Sequence, residues 1–219
     1  MRLQAADRDE IHAIVPVNVI KLSKLRLSPI LNSSGRARLT VAMLSDVLNA
    51  VSRVRMITRV TVVSADQEVQ RIADSYNAKF IWEGKKRGLN NGVKLAIANS
   101  EGASAVVVIH ADLPFANSRE ISRFLNRCKN HAVGLAPSRD GNGTNAIFLK
   151  PPRILSPVFG RHSFQRHLTL AKQSKLAVRV FRSGPIGFDV DEPSDLKELQ
   201  DCQLRNETAD FLRTLGAAG

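Results

Sequence analysis

The sequence predicts an α/β fold, a sheet with helices on both of its faces, and three observations carry that expectation. Short β-branched runs recur along the chain, and helix-length segments with apolar spacings of three and four lie between several of them. One run, Ala105-Val106-Val107-Val108-Ile109, lacks polar alternation altogether. A strand of that kind is covered on both faces, so it belongs at the centre of the sheet.

In chain order, strands are expected over Ile11–Val17, Val60–Ser64, Ala78–Trp82, Ala105–His110, Ala132–Ala136, Ala146–Leu149 and Val178–Phe181. Between the first two, Leu39, Met43, Leu44, Val47, Leu48 and Val51 fall on one side of a helix. Residues 1 to 10 read as a loose lead-in, and Asn206 to Gly219 as a last short helix with a frayed end. No repeat, low-complexity stretch or Pro/Gly/Ser-rich linker interrupts this order. With 219 residues and 43% hydrophobic content, one domain spanning 1–219, with a core of about 11–205, is expected.

The chain carries 32 Lys plus Arg against 20 Asp plus Glu, a formal charge of +12, and should attract anions. Nucleic acid is disfavoured as a stable partner, because the cations come in short groups such as Arg53-Arg55-Arg59 and Lys85-Lys86-Arg87 and aromatic residues make up only 5%. Cys128 and Cys202 form no Cys-x-x-Cys pair, which suits a reducing compartment. No apolar run approaches the ~18 residues that suggest a membrane span, and a cytoplasmic location is expected.

Strand carboxyl ends are where such sheets collect their active sites. Asp112 follows the central run, and Asp189 and Asp191 stand at i and i+2, so an extended backbone turns both carboxylates the same way. Carboxylates plus substrate phosphate oxygens are a magnesium ligand set. The competing expectation is that Asp191 opens a helix cap in Asp191-Glu192-Pro193-Ser194-Asp195-Leu196.

Lys21, Lys24 and Arg26, in the loop after the first strand, are candidates for neutralising a triphosphate and its leaving pyrophosphate; a solvated basic loop is the plain alternative. Gly141-x-Gly143-x-x-Ala146 matches a dinucleotide fingerprint only by accident, since a strand and not a helix follows. It reads either as a turn whose amides and Thr144 hydroxyl bind an anion or as an ordinary hairpin. Gly160 and Ser163 lie at an expected helix start suited to phosphate or carboxylate. His162 and His167 are read as surface residues; Ser163 and His167 share a helical face, which leaves a hydrolase dyad as a weak option.

Together these segments resemble the 2-phospho-L-lactate guanylyltransferase family of coenzyme F(420) biosynthesis, from about Ile14 to Leu199. The landmarks are Val15-Pro16-Val17 with Lys24 and Arg26, Gly88-Leu89-Asn90, Ala111-Asp112-Leu113-Pro114, and Gly143-Thr144-Asn145. They continue with Phe159-Gly160 ahead of Ser163-Phe164 and His167, then Asp189-Val190-Asp191 ahead of Pro193 and Asp195-Leu196. The resemblance implies a three-layer Rossmann-like nucleotidyltransferase fold with a mostly parallel mixed sheet. It implies transfer of GMP from GTP to a small phosphorylated acid with release of pyrophosphate; the Gly143-Thr144-Asn145 form, common in the family, favours 2-phospho-L-lactate or phosphoenolpyruvate over the longer 3-phospho-D-glycerate.

By position, the resemblance makes Asp112, Asp189 and Asp191 magnesium ligands, with Asp112, Lys24 and Arg26 the catalytic set. Pro16, Val17, Lys24, Arg26, Gly88, Leu89 and Asn90 take the nucleotide, and Thr144, Asn145, Gly160 and Ser163 the acceptor. Two positions depart from the family: Asn18 replaces a usual lysine, and Leu25 a small polar residue. A homodimer and product hand-over to the next enzyme of that pathway are the partner expectations. Two other classes stay open, a non-catalytic basic nucleic-acid-binding domain and a metal-dependent glycosyltransferase using Asp189-x-Asp191.

Overall fold

All seven expected strands form, in a computed structural model that describes residues 10–84, 88–202 and 205–216. The order is β1 (Ile11–Pro16), α1 (Ser33–Ser52), β2 (Ile57–Ser64), α2 (Gln67–Ser75), β3 (Lys79–Trp82), α3 (Leu89–Ala98), β4 (Ala105–Ile109) and α4 (Ser118–Cys128). Then follow β5 (Val133–Pro137), β6 (Thr144–Leu149), α5 (Ser163–Gln173), β7 (Val178–Val180), α6 (Gly184–Gly187), α7 (Pro193–Gln200) and α8 (Glu207–Gly216). β2 starts three residues before its expected bound, because Ile57 to Arg59 pair with β1 although they are partly exposed and carry no apolar run. The basic group Lys85-Lys86-Arg87 and nearly all of the expected lead-in lie outside the described residues.

The strands lie in the order β3-β2-β1-β4-β6-β5-β7. β6 runs against both neighbours and the other pairings are parallel, so the sheet is mixed and mostly parallel, as expected. β4 is central: Val107 and Ile109 face one core cluster, Val106 and Val108 the other. α1, α2 and α4 cover the first face, α3 and α5 the second. Helix starts follow local chemistry. Asn32 accepts from the Gly35 N–H, and Asn117 from the Glu120 N–H. Asp66 caps α2 through the Glu68 N–H while its other oxygen holds the Ile20 N–H, which fixes the loop after β1.

α1 is apolar on two sides. Leu44, Val47, Leu48 and Val51 pack on the sheet, whereas Leu39, Ala42 and Met43 join a third cluster with Val190, Leu196, Phe211 and Leu212. α1 is therefore the floor under the segment from Phe188 to α8. Asp46, on the same helix, is 5% exposed and accepts from the Glu207 N–H at 2.9 Å and from the amide and hydroxyl of Thr208. Burial raises its pKa, against the opposing pull of those hydrogen bonds. No helix among the described residues is long and apolar enough to cross a membrane.

Replacing Asp46 by Ala leaves the α8 donors without their acceptor, and should cost about 1–3 kcal/mol of stability in urea unfolding. An unchanged midpoint would mean that apolar contacts alone hold α8.

Candidate active site

Lys24 lies between two short 3-10 turns, Ile20–Leu22 and Leu25–Leu27, in a left-handed conformation at φ 55°. Ile20 and Leu27 anchor the turns in the core. The backbone reversal at Lys24 sends its side chain inward, where it is 8% exposed. Its ammonium donates to Asp112 Oδ2 at 2.6 Å and to Asp191 Oδ1 at 2.9 Å. The three loop cations therefore part company. Lys21 is exposed, and Arg26, with a 70% exposed side chain, pairs with Glu192 Oε1 at 3.0 Å.

Asp112 follows β4, and the extended stretch from Phe188 to Asp191 passes beside it, with the Val190 N–H donating to the Asp112 carbonyl. Val190 is fully buried in the third core cluster between its two acidic neighbours. Capping of α7 does not fall to Asp191. The Asp195 carboxylate accepts from the amides of both Asp191 and Glu192, and the cap residue is Glu192. That leaves the Asp191 carboxylate for Lys24.

The centre holds more negative than positive charge. Burial works to lower the pKa of Lys24, but Asp112 and Asp191 outweigh it and the ammonium stays charged. Burial works to raise the pKa of Asp112, and Lys24 and His110 outweigh it in turn, so the carboxylate ionises more readily than usual. Asp189 goes the other way: burial and then the Asp112 charge push it up to about 6, although Asn145 donates to its Oδ1 at 3.1 Å. The second oxygen of Asp112 is buried and has no hydrogen-bond partner among the described residues. Among the described residues no three His, Cys, Asp or Glu side chains form a ready metal cluster. The donor chemistry still fits a hard divalent cation: carboxylate oxygens, one of them unpartnered, and a third acid whose ionisation is opposed by its own neighbours.

A β-bulge divides the acceptor-side candidates. Ala136 pairs with Ala146 but Pro137 pairs with Thr144, so Asn145 is the extra residue of β6. With strict alternation Thr144 would share the face of Ala146 and Phe148; the bulge turns it to the face of α5. Asn145 points the opposite way and donates to the Ile186 carbonyl and to Asp189. Its side-chain N–H groups are thereby engaged by the Ile186 carbonyl and by Asp189.

On the α5 face, Thr144 Oγ1 lies 3.0 Å from His167 Nδ1 and accepts from Ser163 Oγ at 3.3 Å. His167 is 0% exposed, which corrects its reading as a surface residue; His162 is exposed as expected. A Ser163–His167 dyad does not form, since the ring addresses Thr144 and the Val158 amide. The turn before Thr144 is a hairpin that uses its own amides. Gly141 N–H goes to the Ser138 carbonyl, Asn142 N–H to Asp140 and Gly143 N–H to Ser138 Oγ, which leaves the Thr144 hydroxyl as the surviving anion-binding candidate of that turn. Gly160 is exposed at φ 115°, and an added Cβ would meet nothing within 4 Å.

At the start of α3, Gly88 (φ 129°) donates to Glu83 Oε1, and Leu89 packs partly against the second core cluster. Asn90 clasps the Phe159 backbone, accepting from its N–H at 2.7 Å and donating to its carbonyl at 3.1 Å. Pro16 and Val17, at the end of β1, are buried, and the Val17 N–H donates to the Val63 carbonyl.

One residue of the site, His110, has no role assigned from sequence, and another, His167, reads there as a surface residue. His110 packs on the Phe159 ring, with centroids 4.9 Å apart, and its Nε2 is buried with no partner among the described residues. Its position two residues before Asp112 was the available signal. For His167 the signal was the stripe Ser163, His167 and Ala171, spaced by four residues along the buried side of α5.

Residues 11–218 match the family model described as "Guanylyl transferase CofC like". A phosphoenolpyruvate guanylyltransferase from Sphaerobacter thermophilus is 35% identical over 189 residues, 85% of this chain and 91% of the relative. A 2-phospho-L-lactate guanylyltransferase from Methanocaldococcus jannaschii is 33% identical over 204 residues, 93% and 88% of the two chains. Among solved structures, a putative nucleotide-diphospho-sugar transferase from Desulfovibrio desulfuricans G20 superimposes with a TM-score of 0.78 at 18% identity, covering 95% of this chain and 96% of that one. A CMP:2-keto-3-deoxy-manno-octonic acid synthetase complexed with CTP gives 0.58 at 13% identity, covering 87% and 97%. At these identities the structural likeness speaks for the fold, which is that of nucleotidyltransferases.

The charge imbalance has a measurable consequence. Asp189 titrates at about 6 in the folded chain against an ordinary ~3.9 unfolded, so the folded state holds the extra proton and stability falls as pH rises through that window. In chelator-treated buffer, Asp189→Asn should be more stable than the native chain at pH 7.5 by about 1–2 kcal/mol, after allowance for solvent screening, and gain little at pH 4. Urea unfolding at both values measures this; an equal effect at the two would remove the repulsion argument.

Proposed function

Because the chain belongs to the CofC-like guanylyl transferase family, we propose that it transfers GMP from GTP to a small phosphorylated acid and releases pyrophosphate, in coenzyme F(420) biosynthesis. The observation that carries this reading is the convergence of Lys24, Asp112, Asp189 and Asp191 at the carboxyl end of the sheet, with Asn145 holding Asp189 and the preceding residue, Thr144, bonded to Ser163 on the other face of β6. Such a centre can receive a triphosphate on one side and a second anion on the other. Membership and fold support nucleotidyl transfer of the guanylyl kind.

The acceptor needs no general base. A phosphate monoester has a second pKa near ~6 and is largely a dianion at neutral pH. Its oxygen attacks the α-phosphorus of GTP, the bond from that phosphorus to the bridging oxygen breaks, and pyrophosphate leaves with the electron pair. The protein has to align two anions and offset their repulsion. Lys24 is the buried cation for that work, and once a phosphate oxygen competes for its ammonium it can exchange Asp112 and Asp191 for the nucleotide. Arg26, exposed and already paired, contributes less.

Asp112, Asp189 and Asp191 would hold magnesium, which when bound supplies charge neutralisation at the phosphates. Pro16, Val17 and the start of α3 at Gly88 and Leu89 form the side toward the nucleotide. Asn90 acts through the Phe159–Gly160 loop that it clasps. Thr144, Gly160 and Ser163 form the acceptor side. Asn145, on the opposite face of β6, positions Asp189.

With GTP, magnesium and an acceptor acid, pyrophosphate release should be robust in the native chain. It should fall at least about 10²-fold in Asp112→Asn or Asp189→Asn. Lys24→Ala should lose about 1.5–3 kcal/mol of GTP-dependent kcat/KM, and Arg26→Ala under about 1 kcal/mol. Near-native turnover by Asp189→Asn would remove the metal assignment.

The family's common Gly-Thr-Asn form, kept here at 143–145, favours an acid with phosphate on the carbon beside the carboxylate, and so 2-phospho-L-lactate or phosphoenolpyruvate over 3-phospho-D-glycerate. Ser163→Ala should raise the acceptor KM more than that of GTP. Competition among the three acids at equal concentration, read by product mass, tests the choice; exclusive use of 3-phospho-D-glycerate would overturn it.

A further inference from the structure

His167 is buried on the second turn of α5, and both of its ring nitrogens have partners. Nε2 accepts from the Val158 amide at 2.9 Å, and Nδ1 lies 3.0 Å from Thr144 Oγ1. Burial first, then Arg166 and His110, push its pKa down to about 4, so the ring is neutral near pH 7 and carries one proton. A backbone amide can only donate. Nε2 must therefore be bare, and the proton resides on Nδ1 and points at Thr144.

The count of protons decides what Thr144 can do. With Nδ1–H donating, Thr144 Oγ1 is an acceptor, and Ser163 Oγ donates to the same oxygen at 3.3 Å. Both lone pairs are then engaged, and among the described residues the Thr144 proton has no acceptor. Were the roles of the two hydroxyls exchanged, the spare proton would be that of Ser163; in either case one hydroxyl proton, on a side chain 1% exposed, has no acceptor among the described residues. The opposite tautomer would draw the Thr144 proton into the ring, and with Ser163 donating to Thr144 none would remain.

We propose that His167 is a positioning residue: held as the Nδ1–H tautomer by the Val158 amide, it keeps the Thr144–Ser163 pair one proton in excess, as a donor to an anionic oxygen of the acceptor. This rests on the acceptor pocket proposed above. The loop that sets the tautomer is itself fixed, because Asn90 clasps Phe159 immediately after Val158. The Nδ1–H form thus follows from backbone position, and the ring takes no part in proton transfer.

The tautomer is readable in the ligand-free protein by long-range proton–nitrogen correlation of the imidazole, with Nδ1 protonated and Nε2 bare as the expected result. Three variants then separate the two contacts. His167→Asn can retain a donor at the Nδ1 place, His167→Gln retains an acceptor near the Nε2 place, and Thr144→Val removes the hydroxyl. Binding of phosphoenolpyruvate and of 2-phospho-L-lactate, by calorimetry with magnesium and a non-hydrolysable GTP analogue, should weaken about tenfold in His167→Gln and Thr144→Val. His167→Asn should recover most of it, and affinity for the analogue should stay within about twofold throughout. An Nε2-protonated ring, or equal weakening by Asn and Gln, overturns the proposal. Native protein with the expected tautomer that bound neither acid would instead overturn the acceptor pocket, and with it the use made of the hydroxyl.

Discussion

The ammonium of Lys24, buried between Asp112 and Asp191, is the contact on which the arrangement of the centre depends. Bringing the Lys24 ammonium out of water is costly unless it is paired, and here the pairing joins three distant parts of the chain: the loop after β1, the end of β4 and the stretch before α7. Each arrives by its own route. Asp66 pins the Ile20 turn, β4 is fixed at the middle of the sheet, and Val190 is buried against the face of α1 opposite the sheet. Apolar packing brings these segments near one another, and the ion pairs then fix how the charged groups of the centre face each other.

That frame leaves a residue of negative charge, expressed at Asp189. A carboxylate that titrates near 6 beside another that ionises readily marks a place where one more cation would be welcome. The same imbalance explains why Lys24 turns inward while Arg26 does not. The long lysine stem, starting from a left-handed backbone, reaches a compact ammonium into a gap between two carboxylates, whereas the Arg26 guanidinium finds Glu192 at the rim.

Much of the fold was legible in the sequence because strands announce themselves by β-branched runs, and the unbroken 105–109 run located the centre of the sheet. The acids were legible for the same reason: they stand just past strands or two apart on an extended segment. What pattern could not show was direction. Lys24 and Arg26 look alike in sequence, and only the reversal between two 3-10 turns separates them. Asp191 looked like a cap because acids precede Pro193, yet Asp195 reaches back to both amides and does that work. His167 looked exposed because a lone histidine between Arg166 and Leu168 carries no apolar signal, although its spacing from Ser163 and Ala171 put it on the inner stripe.

The deepest limit on pattern reading lies at Asn145. Alternation along β6 from Leu149 back to Ala146 is regular, and continuing it would turn Thr144 toward the α4 side and Asn145 toward α5. One extra residue reverses both, and such a residue leaves no mark in composition. The reversal also decides the chemistry. Asn145 now supports the Asp189 carboxylate, while Thr144, one peptide away, presents its hydroxyl on the other face of β6. On the proposed reading, two anionic substrates meet across a single bulged residue whose neighbours are fixed by Asp189, Ile186, Ser163 and His167. Alignment of the attacking oxygen with the α-phosphorus then depends on backbone geometry and not on a flexible side chain. This is the economical solution where the reaction asks for orientation and no proton transfer.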